Sequence, residues 1–159
     1  MNTIFDSFLQ TNWLLLITKL LLATALGYLI GMERELHGKM AGTRTISLIA
    51  IGGTLYVLMS PTMLDGDNSR IIAQVVSGIG FLGAGIIFKD GDTIKGLTTA
   101  ATVWCAAAIG CLCGFGMFAE AILGTIAIMT VNIFFKHLRG ENGEALDHSD
   151  HHPDQPSKS

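Results

Sequence analysis

Charge is scarce in this sequence, and it is missing altogether from several long runs. Of 159 residues only 14% are Asp, Glu, Lys or Arg, while half are hydrophobic. Ile71 to Phe88, Thr98 to Phe118 and Ala121 to Phe135 contain no charge at all, and Leu14 to Met32 contains only Lys19. About 20 helical residues cross the roughly 30 Å of a bilayer's hydrocarbon, and each run is near that length. Runs of this kind exclude an ordinary soluble domain. Cysteine is equally sparse: Cys105, Cys111 and Cys113 all fall in one apolar block. That grouping suits small packing residues better than a disulfide framework or a metal site. The first basic residue is Lys19, so no positively charged leader precedes the apolar run, and the first helix is expected to stay uncleaved. A net charge of −3 spread over loops and tail argues against a nucleic-acid partner. There is no Ser/His/Asp arrangement, paired acid set or phosphate-binding loop. No catalytic residue, cofactor or bound metal is therefore expected, and the chain does not read as an enzyme.

What is present is helical and apolar. The sequence predicts an all-α, polytopic transmembrane bundle of about five spans, roughly 13–32, 45–63, 71–88, 98–115 and 117–135, within one domain covering 1–139. The second span carries Gly52, Gly53 and Pro61 and is the shortest in apolar terms. Lys and Arg accumulate in alternate connections: Arg34, Lys39 and Arg44 after span one, Lys89 and Lys95 after span three, Lys136 and Arg139 after span five. The opposite face has Arg70 beside Asp65 and Asp67. Basic loops tend to stay in the cytoplasm, which predicts the N-terminus outside and the C-terminus inside. Trp13 at the start of span one and Phe134, Phe135 and Lys136 at the end of span five fit the interfacial belts. The segment 140–159, rich in Gly, Asp, His, Pro and Ser, is predicted to be a disordered cytoplasmic tail. His148, His151 and His152 with Asp150 and Asp154 read first as a solvated tail and second as a metal site.

Small residues let helices approach closely in lipid. Ala23, Gly27 and Gly31 recur at four-residue spacing in span one, Ala73, Ser77, Gly80 and Ala84 line one side of span three, and Gly110 and Gly114 close span four. Large residues such as Leu14, Leu15, Leu16, Ile126 and Ile128 are then expected to face lipid. Gly78, Gly80 and Gly83 spell G-x-G-x-x-G, but no strand precedes them and no acidic residue follows about 20 positions on. Helix packing, together with Gly85, is the better reading, and a helix broken at Gly78 to Gly85 is the alternative.

Polar residues inside spans are costly and therefore informative. Lys19 and Glu120 lie at comparable depth, and pair or separately reach the surface. Asn132, deep in span five, calls for an interhelical hydrogen bond. Glu33, Arg34 and Glu35, followed by Arg44 and Thr45, form the densest polar cluster and suggest ion pairs that fix a hairpin. The start of a helix favours anions, and Thr98 and Thr99 open span four on the same face. The two junctions are thus candidates for one shallow polar pocket. Trp104 reads as a packing residue, and the thiol of Cys105, surrounded by hydrocarbon, as a poor nucleophile.

Gly31-Met-Glu-Arg-Glu, Met40-Ala-Gly-Thr-Arg-Thr, the run from Ala73 to Ile87 and the run from Gly96 to Gly110 resemble the MgtC/SapB family of bacterial inner-membrane proteins. The stretch through Trp104 and Cys105 to Gly116 is most similar to the MgtC branch. The resemblance implies a multi-pass inner-membrane protein linked to growth in low magnesium and, in pathogens, to survival inside macrophages. It implies regulation of partner membrane proteins, among them the rotary ATP synthase and a P-type magnesium transporter, and allows a homo-oligomer. It also implies a functional role for Cys105. Two departures limit it: virulence-associated members have Asn where this chain has Thr98, and they carry a cytoplasmic domain after the last span that this sequence is expected to lack. A regulatory protein acting through its helix faces and an ion transporter remain as two readings. The first is favoured because, Lys19 apart, no ionisable residue lies well inside a span, whereas cation permeation usually demands acidic rings.

Overall fold

A computed structural model of the chain describes residues 12–63, 68–91 and 93–143. These form five helices and one short hairpin: α1 (Trp13–Leu36), α2 (Thr43–Met63), α3 (Asn68–Ile86), β1 (Phe88–Asp90), β2 (Thr93–Lys95), α4 (Leu97–Phe115) and α5 (Phe118–Gly143). By length and composition α1, α4 and residues 69–86 of α3 are long and apolar enough to cross a membrane, while Thr43–Met59 and Phe118–Phe134 are shorter apolar helices. The expected all-α membrane bundle is therefore the fold.

Helix α1 starts where the Asn12 side chain accepts a hydrogen bond from the Leu15 N–H at 3.2 Å, the usual N-cap arrangement. It stops at His37, where Gly38 turns with φ +62° and the Lys39 N–H returns to the Arg34 carbonyl at 3.0 Å. Its buried residues Ala23, Leu26, Gly27, Ile30, Gly31, Glu33 and Arg34 recur at three- and four-residue steps, a broad stripe on one side. That stripe lies on α2 with backbone in contact: a Cβ on Gly31 would stand 2.5 Å from the Thr43 Cα. Helix α4 seals the other side of α2. There a Cβ on Gly110 would stand 2.1 Å from the Ala50 carbonyl oxygen, and the Thr54 hydroxyl donates to the Gly110 carbonyl at 2.8 Å. Only glycine fits so close an approach. Within this core the hydroxyls of Thr102 and Thr125 donate to the carbonyls four residues back, which satisfies polar groups where no water reaches. Helix α5 closes the bundle through Ala121, Thr125 and Gly124, the last set against Ile109.

Helix α3 is different. Among residues 69–86 only Gly83 is buried, and a Cβ there would reach Ala100 at an ordinary 3.7 Å. Ala73, Ser77, Gly80 and Ala84, expected to pack, are all exposed. Gly78, Gly80 and Gly85 have nothing within 4 Å of a built Cβ, so the packing role assigned to them is not fulfilled within this chain. Nor is the helix broken, since it runs unbroken to Ile86. The expected end of span three at 88 is also corrected. Phe88–Asp90 pairs antiparallel with Thr93–Lys95, with Gly91 at φ +60° in the connection, a turn that favours glycine. Hydropathy alone could not separate Ile87 and Phe88 from the helix, because an apolar pair continues either element.

Two further boundaries shift. Helix α5 continues to Gly143, beyond the expected 135 and into the predicted tail. The rest of that tail, with its His and Asp cluster, lies outside the described residues. Leu14, Leu15 and Ile126 are exposed as expected, whereas Ile128 packs partly against the core.

A buried polar node joining three helices

Continuing the α1 stripe by one more turn carries it onto charge. Arg34 is 2% exposed and Glu33 5%, so both lie inside the bundle and not in the surface loop expected from their polarity. The sequence predicts an end to the first span at Met32, but four further residues stay helical. The Arg34 guanidinium donates through Nη2 to Thr99 Oγ1 in the first turn of α4 at 3.1 Å, with both groups buried. Asn132 of α5 donates through Nδ2 to Glu33 Oε2 at 3.3 Å. His37 Nδ1 lies 2.9 Å from Glu33 Oε1 and 2.7 Å from the Glu33 carbonyl oxygen. Three helices are thereby tied at one end by adjacent side chains of opposite charge. Removing one partner from such a node leaves a buried charged group unsatisfied, which costs several times what an exposed pair contributes. Arg34 Nε is buried and has no acceptor among the described residues.

The neighbouring carboxylate has another task. Glu35 Oε2 accepts from the Thr43 N–H at 3.0 Å and from the Thr43 hydroxyl at 2.5 Å. The start of α2 does attract an anion, and the anion is a side chain of the preceding helix. The α1–α2 hairpin is fixed by this cap and by backbone contact, in place of the Glu–Arg ion pairs expected there. Arg44 and Thr45 are both exposed, and they open onto a cavity of about 840 Å³ between α2, α3 and α4 that neither Thr98 nor Thr99 lines. The single polar pocket shared by the two junctions is therefore corrected. Thr99 faces Arg34 inside the bundle, Thr98 is exposed with its carbonyl accepting the Thr102 hydroxyl, and Arg44 borders an apolar space.

The other candidates are scattered. Lys19 reaches across to α4 and donates to the Gly114 carbonyl at 2.7 Å, in place of a pairing with Glu120, whose side chain is exposed in the first turn of α5. Trp104 is 50% exposed, so it is not the interior packing residue expected, and Cys105 beside it is half-buried. Gly27, Gly31, Gly110 and Gly114 all sit at tight helix contacts. His37 is the participant that sequence reasoning passed over. Its signal was its position four residues after Glu33, on the same helix face. Among the described residues no group of three His, Cys, Asp or Glu is gathered as metal ligands would be.

Every residue of this node lies within the stretch that shows kinship. Residues 20–140 match the MgtC family. The chain belongs to that family. It is 50% identical to Protein MgtC of Salmonella typhimurium over 120 residues, 76% of this chain and 52% of that protein. It is likewise 50% identical to Protein MgtC of Brucella abortus over 118 residues, 73% of this chain and 49% of that protein. An uncharacterized protein of Synechocystis is 49% identical over 128 residues, 80% of this chain and 55% of that protein. The chain thus spans about half the length of these relatives. No solved structure matches it.

Proposed function

We propose that this MgtC-family membrane protein is regulatory: it adapts the cell to low magnesium by acting on partner membrane proteins of the bacterial inner membrane, the rotary ATP synthase or a P-type magnesium transporter among them. In a pathogen the same role would extend to survival inside macrophages. The carrying observation is that the charged groups within the bundle are engaged by the bundle itself. Arg34 is bound to Thr99, Glu33 to Asn132 and His37, and Lys19 to the Gly114 carbonyl. The large cavity is lined mainly by aliphatic side chains, a poor route for a hydrated divalent cation. In this reading the Arg34 end faces the cytoplasm, in keeping with the basic residues of its connections.

Full-length protein reconstituted in liposomes tests this reading. The expected result is no magnesium flux above protein-free vesicles, with cross-linking in cells to another membrane complex. Robust flux would sink the regulatory reading. In low-magnesium growth, Arg34→Gln or Thr99→Val at normal protein level is expected to lose complementation, while Thr99→Ser retains it.

A further inference from the structure

Helices α2 and α3 are joined by only four residues, so they run antiparallel. The cavity between them and α4 is an open groove of about 840 Å³, within the range of about 300 to 1,000 Å³ typical of small-molecule sites. Its walls are mostly apolar, among them Leu48, Ile49, Ile79, Leu82 and Val103, with Tyr56 and Gln74 as the polar exceptions along them. Its width comes from missing side chains. Gly52 of α2 and Gly78 of α3 both line it, and a Cβ built on either meets nothing within 4 Å. From Arg44 to Tyr56 the groove follows twelve residues of helix, about 18 Å at 1.5 Å per residue. That is slightly more than half of the roughly 30 Å hydrocarbon core, the depth of one leaflet.

The charge of the groove lies at one end. Arg44 is the charged residue of its lining, is exposed, and has no hydrogen-bond or ion-pair partner among the described residues, with the Thr45 hydroxyl next to it. The nearby Glu35 carboxylate is already bound twice to Thr43. An apolar trough one leaflet deep, with an unpaired guanidinium at its mouth, complements one kind of molecule: an amphiphile with a single negative head and a long hydrocarbon tail. Basic pockets between transmembrane helices hold phospholipid headgroups in this manner. We propose that the groove between α2, α3 and α4 is a binding site for an anionic glycerophospholipid, its phosphate on Arg44 and Thr45 and one acyl chain between Gly52 and Gly78. The site is independent of the regulatory reading and of the Arg34 node.

Full-length protein is reconstituted in nanodiscs of equimolar phosphatidylglycerol and phosphatidylcholine, and the lipid it retains is counted by native mass spectrometry. Phosphatidylglycerol is expected to exceed phosphatidylcholine about fivefold, the ratio equivalent to about 1 kcal/mol for one basic residue near the headgroups. Arg44→Gln should bring the two lipids to parity, Arg44→Lys should keep most of the preference, and Lys95→Gln, away from the groove, should leave it unchanged. Gly78→Leu should lower retention of both lipids; should that variant fail to fold, Gly52→Ala and Gly78→Ala together provide the smaller obstruction. A photoactivatable phosphatidylglycerol should label residues 48–56 and 75–82. Equal retention by the unmodified protein, a preference that survives Arg44→Gln, or a second copy of the chain cross-linked in the groove in place of lipid would each overturn the proposal.

Discussion

Helices α1, α2 and α4 meet backbone to backbone, whereas α3 lies against the same bundle with Gly78, Gly80 and Gly85 bare. Both regions carry small residues at helical spacing, but only the first uses them for close backbone contact; in α3 Gly83 alone is buried, at ordinary van der Waals distance from Ala100. The difference teaches that small-residue spacing marks a helix able to be approached closely without naming what approaches it. In α1 the stripe of Gly27 and Gly31 is taken by α2; in α3 Gly78 opens a groove and Gly80 faces outward.

The sharpest way to break this contrast is to add bulk on each side. Gly110→Leu must displace the Ala50 backbone, which stands 2.1 Å from a built Cβ. The expected loss is more than about 3 kcal/mol, enough to remove the folded bundle, read by denaturation in detergent or nanodiscs. Gly80→Leu meets nothing and should unfold no more easily than the unmodified protein; equal damage from both would erase the distinction. A smaller effect is expected at the node. Thr99→Val takes the acceptor from buried Arg34 at a cost of about 1.5 to 3 kcal/mol, and Thr99→Ser should recover most of it.

How much of this was legible in advance depends on which physical signal each residue gives. Runs with at most one charge located all five helices, because hydrocarbon thickness fixes their length. Alternating basic connections singled out the end of the bundle where the polar residues gather. Polarity points Arg34 to the surface, whereas the rhythm Gly27, Ile30, Gly31, Arg34 puts it on the buried stripe. His37 gave a weaker version of the same signal. The exposure of α3 and the hairpin at Phe88–Lys95 were not legible: composition is the same on a packed and an unpacked face, and two apolar residues extend a helix or a strand equally well.

Two milder changes sharpen the comparison further. Asn132→Leu removes the donor to Glu33 and should cost about 1 kcal/mol, the scale of a single interhelical hydrogen bond in a membrane, read by the same denaturation. Gly80→Ala should raise stability by about 0.5 to 1 kcal/mol, since it stiffens an exposed helix without touching a neighbour. A loss at Gly80→Ala would instead mean that α3 is packed against something in the membrane at that position.

The central claim is that the charge inside this bundle holds helices together, and a double-mutant cycle tests it most directly. Arg34→Gln, Thr99→Val and the pair are compared by unfolding in one nanodisc preparation. A buried contact shared by the two side chains predicts a coupling of about 1 to 3 kcal/mol, with the double variant less damaged than the sum of the singles. Additive losses would contradict it, because Arg34 and Thr99 would then be acting apart.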